Sequence, residues 1–127
     1  MNRSGDSVGV MAGWFHIPPE QVLVVHDDLD LEPGRLKLKS GGGHGGHNGL
    51  RDIVRALGSN EFQRVRLGIG RPRAQSGSTD HVLSSFHPDE KRDMEAMVDR
   101  AADAVEMTLG EGIRASMNEY NTRGEGP

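Results

Sequence analysis

Apolar positions along this chain recur at two spacings, and the spacings alternate. From about Ser4 to Phe15, Val8, Met11, Ala12 and Phe15 fall on one helical face, with Ser4 as the expected N-cap and Gly5, Gly9 and Gly13 as weak points. Pro18-Pro19 stops that helix. Gln21–His26 is a short β-branched apolar run, which predicts a strand buried on both faces. Arg35–Lys39 alternates basic residues with leucine, a strand with one wet face. Leu50, Ile53, Val54 and Leu57 share a face of a helix that opens near Asn48 and ends at Gly58. Arg64–Gly70 reads as a third strand, and Val82–Phe86 as a short helix. Pro88 opens a long helix to about Leu109, with Met94, Met97, Val98, Ala101, Val105 and Leu109 as its buried stripe. A last helix covers about Ile113 to Tyr120, and residues 121–127 read as a disordered tail. Trp14, Phe15 and Phe62 are expected in the core.

Strands alternating with helices, without repeat or linker, imply a single α/β domain over residues 1–127. Three strands make a thin sheet, and an α/β chain that opens with a helix and has so few strands is expected to be incomplete at its N-terminus. No apolar run is long enough to cross a bilayer, and the N-terminus lacks a signal-peptide pattern. Cysteine is absent, which removes disulfides, thiolate metal sites and a thiol nucleophile. Together these features favour a cytoplasmic protein. The net charge of −4 argues against a nucleic-acid partner, but its distribution does not. Gly34–Arg73 holds nine Lys/Arg and two Asp/Glu, between acidic flanks. Lys37, Lys39, Arg64, Arg66, Arg71 and Arg73, on or beside strands, would offer a phosphate-contact face, extended by Arg51 and Arg55. Ordinary solvated charges are the competing reading.

Two motifs could carry chemistry. Asp27, Asp28 and Asp30 follow a strand directly, where open α/β sheets place ligands. An aspartate there can orient an imidazole, ligate a hard cation or simply form a turn. Gly41–Gly49 contains six glycines, His44, His47 and Asn48. Such backbone approaches a ligand closely and presents N–H groups at a helix start. It matches neither a dinucleotide fingerprint nor a Walker loop. His44 and His47 form a weak metal pair, and Asn48 suits a carbonyl or ribose hydroxyl, or a helix cap.

These motifs, in this order, resemble one family. Met1-Asn2-Arg3-Ser4-Gly5, Val25-His26-Asp27-Asp28-Leu29-Asp30 with Pro33-Gly34, Gly41-Gly42-Gly43-His44-Gly45-Gly46-His47-Asn48-Gly49-Leu50 and Arg66-Leu67-Gly68-Ile69-Gly70-Arg71-Pro72 are similar to bacterial-type peptidyl-tRNA hydrolase. The resemblance spans essentially the whole chain, least sharply after Ser78. It implies an α/β fold, a three-layer sandwich with a mixed sheet, and hydrolysis of the ester between a peptide and the 3′ ribose of tRNA, by a usually monomeric enzyme without metal or cofactor and without a membrane role. Residue by residue it implies that Asp27 orients the general-base histidine, that Asn2 and Asn48 bind the peptide backbone and ester, and that Lys37, Lys39 and Arg66 meet tRNA phosphates. In such a reaction a histidine takes a proton from water, water attacks the carbonyl, and an amide steadies the oxyanion. The family's Thr-Arg-His-Asn segment, which carries the general base, has no counterpart here. None of His16, His26, His44, His47, His81 or His87 matches it. The expectation is an N-terminally truncated hydrolase, essentially inactive alone. A non-catalytic RNA-binding relative is the second reading, and a metal- or nucleotide-binding protein using His44, His47 and the aspartates is the third.

Overall fold

The computed structural model describes residues 3–70 and 88–121. In chain order the elements are α1 (Ser4–Trp14), a 3-10 turn (Pro19–Gln21), β1 (Leu23–Asp28), β2 (Leu36–Ser40), α2 (Asn48–Leu57), β3 (Gln63–Gly68), α3 (Pro88–Glu111) and α4 (Ile113–Tyr120). The expected Val82–Phe86 helix, Arg71, Arg73, His81, His87, Asn2 and the tail beyond Asn121 lie outside the described residues.

The sheet order is β1-β3-β2. Gly68 N–H donates to Arg35 C=O at 2.7 Å and Gly41 N–H to Phe62 C=O at 3.0 Å, so β2 and β3 run antiparallel. Gln63 N–H reaches Val22 C=O and Ile69 N–H reaches Asp28 C=O, a constant offset that makes β1 and β3 parallel. The sheet is therefore mixed, and the α/β class holds. The chain divides into two compact units, Met1–Val24 with Lys39–Arg64 and Val25–Leu38 with Val65–Pro127; each strand passes from one to the other.

In the first unit α1 packs on α2. Gly5 N–H donates to the Asp52 carboxylate at 2.8 Å, and a Cβ on Gly9 would stand 3.1 Å from the Ala56 methyl. With Ala12 these glycines form a flat stripe that lets the helix backbones approach. Arg55 ties the helices further, bonding Asp52 at 2.9 Å and Asp6 at 3.2 Å. Val24, Leu50, Ile53 and Phe62 form the core, with Val8, Val22, Val54 and Leu57 against it. Burying each large side chain contributes about 1.5–3 kcal/mol.

This stripe corrects half of the expected apolar face of α1. Val8 packs half-buried against the core and Ala12 is buried, but Met11 and Phe15 are exposed, and so is Trp14, by 78 %. The glycines take the contact with α2 and so rotate the large residues outward. Ser4 is not the N-cap either, because Arg3 occupies that position and caps with no side-chain bond. Strand β1 is corrected likewise. Val24 and His26 are buried but Val25 and Asp27 are exposed, so only one face is covered.

In the second unit α3 packs on α4. The buried stripe of α3 is Met97, Ala101, Ala104 and Thr108, whereas Val98 and Leu109 are exposed. Ala104 and Thr108 thus replace the two expected apolar positions. Thr108 Oγ1 donates within a buried cluster formed by the Ala104 carbonyl at 2.8 Å and Ser116 Oγ at 2.7 Å. Asn121 follows α4 and clasps β2: its Oδ1 accepts Leu38 N–H at 2.7 Å and its Nδ2 donates to Leu38 C=O at 2.8 Å. The side-chain amide there does what a neighbouring strand would do. Asn121, expected in the tail, is thereby anchored.

The helix contact predicts a contrast between two glycines of α1. Gly5→Ala would drive a methyl into the Asp52 backbone and should destabilise by about 1–3 kcal/mol. Gly13→Ala meets nothing within 4 Å and should be neutral or stabilising by up to about 1 kcal/mol. Urea melts of both variants check this; equal effects would contradict the packing account.

Candidate functional site

The acidic turn belongs to the second unit. Asp27 is exposed at the penultimate position of β1, and Asp28 is largely covered. Asp28 accepts the Asp30 N–H on one carboxylate oxygen at 2.8 Å and the Arg66 Nε–H on the other, also at 2.8 Å. The Asp28 and Arg66 side chains are 14 % and 21 % exposed. Burial pushes the Asp28 carboxyl up. The Arg66 hydrogen bond, the Asp30 amide and the Arg66 charge together outweigh it and hold the group below its ordinary value. Across the turn, Gly34 N–H donates to Gly68 C=O and Gly70 N–H to Leu31 C=O. A Cβ on Gly68 would strike Leu31 and the Glu32 and Arg35 carbonyls, which explains a glycine in β3. The three aspartates thus separate by task. Asp28 builds the turn, and Asp27 is left outward-facing.

The glycine loop belongs to the first unit. Gly41, Gly42, Gly45 and Gly46 all have positive φ, between 58° and 101°, a path closed to most side chains. Arg64 holds this loop from below. It is only 2 % exposed and donates to the carbonyls of Gly43 at 2.5 Å, Gly42 at 2.6 Å and Asn60 at 3.0 Å. Its guanidinium lies 4.4 Å from the centre of the Phe62 ring. The Lys39 ammonium approaches the loop at Gly42, close to where a Cβ would stand.

The loop delivers α2. His47, not Asn48, is the N-cap, because its Nδ1 accepts Leu50 N–H at 3.2 Å. Asn48 is the first helical residue and is exposed. Likewise His44 Nδ1 accepts Gly46 N–H at 3.0 Å. An Nδ1 that accepts an amide is unprotonated, so each neutral ring carries its proton on Nε2 and presents a donor there, not a base. His26 is buried and donates from Nδ1 to Asp27 C=O at 2.8 Å. Among the described residues no group of three or more His, Cys, Asp or Glu side chains could hold a metal ion.

A family model for peptidyl-tRNA hydrolase matches residues 1–126. The chain belongs to the peptidyl-tRNA hydrolase family. It is 56 % identical over 110 residues to the peptidyl-tRNA hydrolase of Alkalilimnicola ehrlichii, covering 86 % of this chain and 56 % of that protein. It is 47 % identical over 121 residues to that of Mycobacterium tuberculosis, covering 95 % of this chain and 63 % of the relative. The solved peptidyl-tRNA hydrolase from Acinetobacter baumannii superposes with a TM-score of 0.84 at 42 % identity, over 96 % of this chain and 62 % of that one. A crystal structure of a peptidyl-tRNA hydrolase with n-propanol gives the same TM-score at 41 % identity. The chain therefore spans less than two thirds of the length of these family members. No helix among the described residues is long and apolar enough to cross a membrane.

Within the family's motifs, the structure brings Asp28 to Arg66 and Lys39 to the glycine loop. Asp27, Lys37 and Arg66 belong to one unit, and Lys39 and Asn48 to the other. Sequence reasoning assigned Arg64 to a phosphate-contact face; its burial beneath the loop corrects that. Arg55 is corrected too, since it links α1 to α2. In the sequence Arg64 is marked only by its place just before an apolar residue in a strand, and alternation with Arg66 masks it.

The Asp28–Arg66 pair yields a pH prediction. Asp28 has a lowered folded-state value, so its stabilisation is complete above the ordinary carboxylate range of about 4 and is lost as pH falls through the folded value. Asp28→Asn should cost about 1–3 kcal/mol at neutral pH and flatten the acid limb of the stability curve. Urea melts between about pH 7 and pH 3 check it. An unchanged acid limb would show that the pair contributes nothing.

Proposed function

We propose that this chain forms the substrate-binding part of a bacterial-type peptidyl-tRNA hydrolase acting in the cytoplasm, as one hydrolase-like domain. The family match across residues 1–126 carries this reading. Asn48, at the exposed start of α2, and Asn2 bind the peptide backbone and the ester. Asp27, exposed at the end of β1, supports an imidazolium by charge and hydrogen bonding. Lys37 and Lys39 contact tRNA phosphates, and Arg66 contributes its remaining guanidinium donors while Nε holds Asp28.

The reaction needs a general base beside water and donors beside the carbonyl oxygen. We infer that His26, His44 and His47 are not that base. His26 is buried and bonded to its own strand, while His44 and His47 use Nδ1 on backbone amides. A site that lacks a general base should hydrolyse the ester about 10²–10⁴ times more slowly.

Two measurements test this. A hairpin RNA ending in CCA, joined to a short peptide by a non-cleavable amide, should bind the 127-residue chain more tightly than the same RNA without peptide. Binding should weaken with salt, and Lys37→Ala and Lys39→Ala should each reduce the salt slope by about 1. Asn48→Ala should reduce the preference for the peptidyl form only. With an ester-linked substrate, turnover by these residues should be near background. Salt-independent binding, or no preference for the peptide-bearing RNA, would refute the binding role; full turnover would show that these residues do supply a general base.

A further inference from the structure

We infer that Arg64 is a positioning residue, which fixes the glycine loop so that the amide N–H groups of Gly43 and His44 stand ready as a pair of donors to a ligand oxygen. This inference rests on the reading above, in which the loop lies at the peptide-ester end of the substrate.

In a trans peptide, the C=O of one residue and the N–H of the next point in opposite directions. Arg64 draws the Gly42 and Gly43 carbonyls inward, at 2.6 Å and 2.5 Å. The N–H groups of Gly43 and His44 must then face away from the guanidinium. Gly43 is exposed, and a Cβ there would meet nothing within 4 Å, so the loop is uncovered at this residue. Ordering such a glycine run costs more backbone entropy than ordering any other sequence. The loop has no side chains of its own between Gly41 and Gly43 to anchor it. Arg64 supplies the anchor: a planar fork on two successive carbonyls, a third bond to Asn60, and a face laid on Phe62. Phe62 C=O, just before β3, in turn accepts the Gly41 N–H, so the entry to β3 fixes both the start and the floor of the loop. The chemistry this suits is an uncharged carbonyl or a developing oxyanion, which gains from donors already oriented.

The test uses the full 127-residue chain, with Arg64→Met, which keeps the packing on Phe62, and Arg64→Lys, which keeps the cation without the fork. Amide ¹⁵N relaxation reads loop order at Gly41–Gly46, and hydrogen exchange at Leu50 and Ile53 reads the fold. The amide-linked peptidyl-RNA hairpin and the bare hairpin read binding. In Arg64→Met, the loop amides should become mobile and the preference for the peptidyl form should fall about tenfold or more. Bare-RNA affinity and protection at Leu50 and Ile53 should stay unchanged. Arg64→Lys should lie between, and it carries the comparison if Arg64→Met fails to fold. A rigid loop in both variants, or equal weakening toward both RNAs, would overturn the proposal. If the unmodified chain shows no peptide preference, the functional reading fails, while the loop measurement still decides whether Arg64 holds the loop.

Discussion

Everything distinctive in this chain depends on the hydrogen-bonding needs of backbone that cannot form regular structure. The glycine loop and the acidic turn both expose carbonyls and amides that no helix or ladder satisfies, and unsatisfied polar groups are costly once covered. Central strand β3 meets both needs with guanidinium groups at alternate positions. Arg64 serves the glycine loop, and Arg66 serves the carboxylate that shapes the acidic turn. Arginine suits this because its donors form a rigid fan, and fixing a planar group loses little freedom per bond made. A lysine could supply the charge but not the simultaneous reach to Gly42, Gly43 and Asn60.

The same constraint explains where rigidity lies. Helix α2 is held on three sides: its start is capped by His47, its face is buried through Leu50 and Ile53, and its flank is tied to α1 through Gly5, Asp52 and Arg55. Asn48 therefore stands on a firmly placed element, although the segment leading to it is mostly glycine. A binding group on a helix end is more accurately placed than one on a loop. Asp27 has an equivalent support, since its neighbours His26 and Asp28 are both engaged while it remains outward-facing.

Much of this was legible in the sequence. The element order, the 48–57 helix and the α/β class follow from periodicity and glycine punctuation, and the motif order points to the family and, through it, to a mixed sheet. What failed did so for identifiable reasons. Periodicity cannot say which face of a helix wins when one face is glycine, so Trp14 and Phe15 were assigned to a core that Gly5, Gly9 and Ala12 occupy instead. A β-branched run cannot report how many faces a neighbour covers, which is why Val25 was misjudged. Ala104 and Thr108 carry part of the α3 contact because small side chains, and a hydroxyl paired with Ser116, fit a close helix pair better than leucine would. The cap of α2 was missed because histidine is an uncommon N-cap, and asparagine next to it is a common one.

Charge shows most clearly why counting residues is insufficient. The basic stretch from Gly34 to Arg73 suggested a broad cationic surface, yet three of its arginines serve the protein itself. Arg64 is buried under the loop, Arg66 is joined to Asp28, and Arg55 bridges two aspartates. The buried Arg64 guanidinium has no counterions to release when a phosphate arrives, and the charges of Arg55 and Arg66 are already partly neutralised by their carboxylates, so these three add less to a cationic surface than their number suggests. The exposed Lys39 differs, because its ammonium lies against the glycine loop, where a cation and outward amides would act on the same ligand. The positive potential of this chain is then a local property of a few positions set by the fold. A protein of net charge −4 can in this way still present a cationic edge.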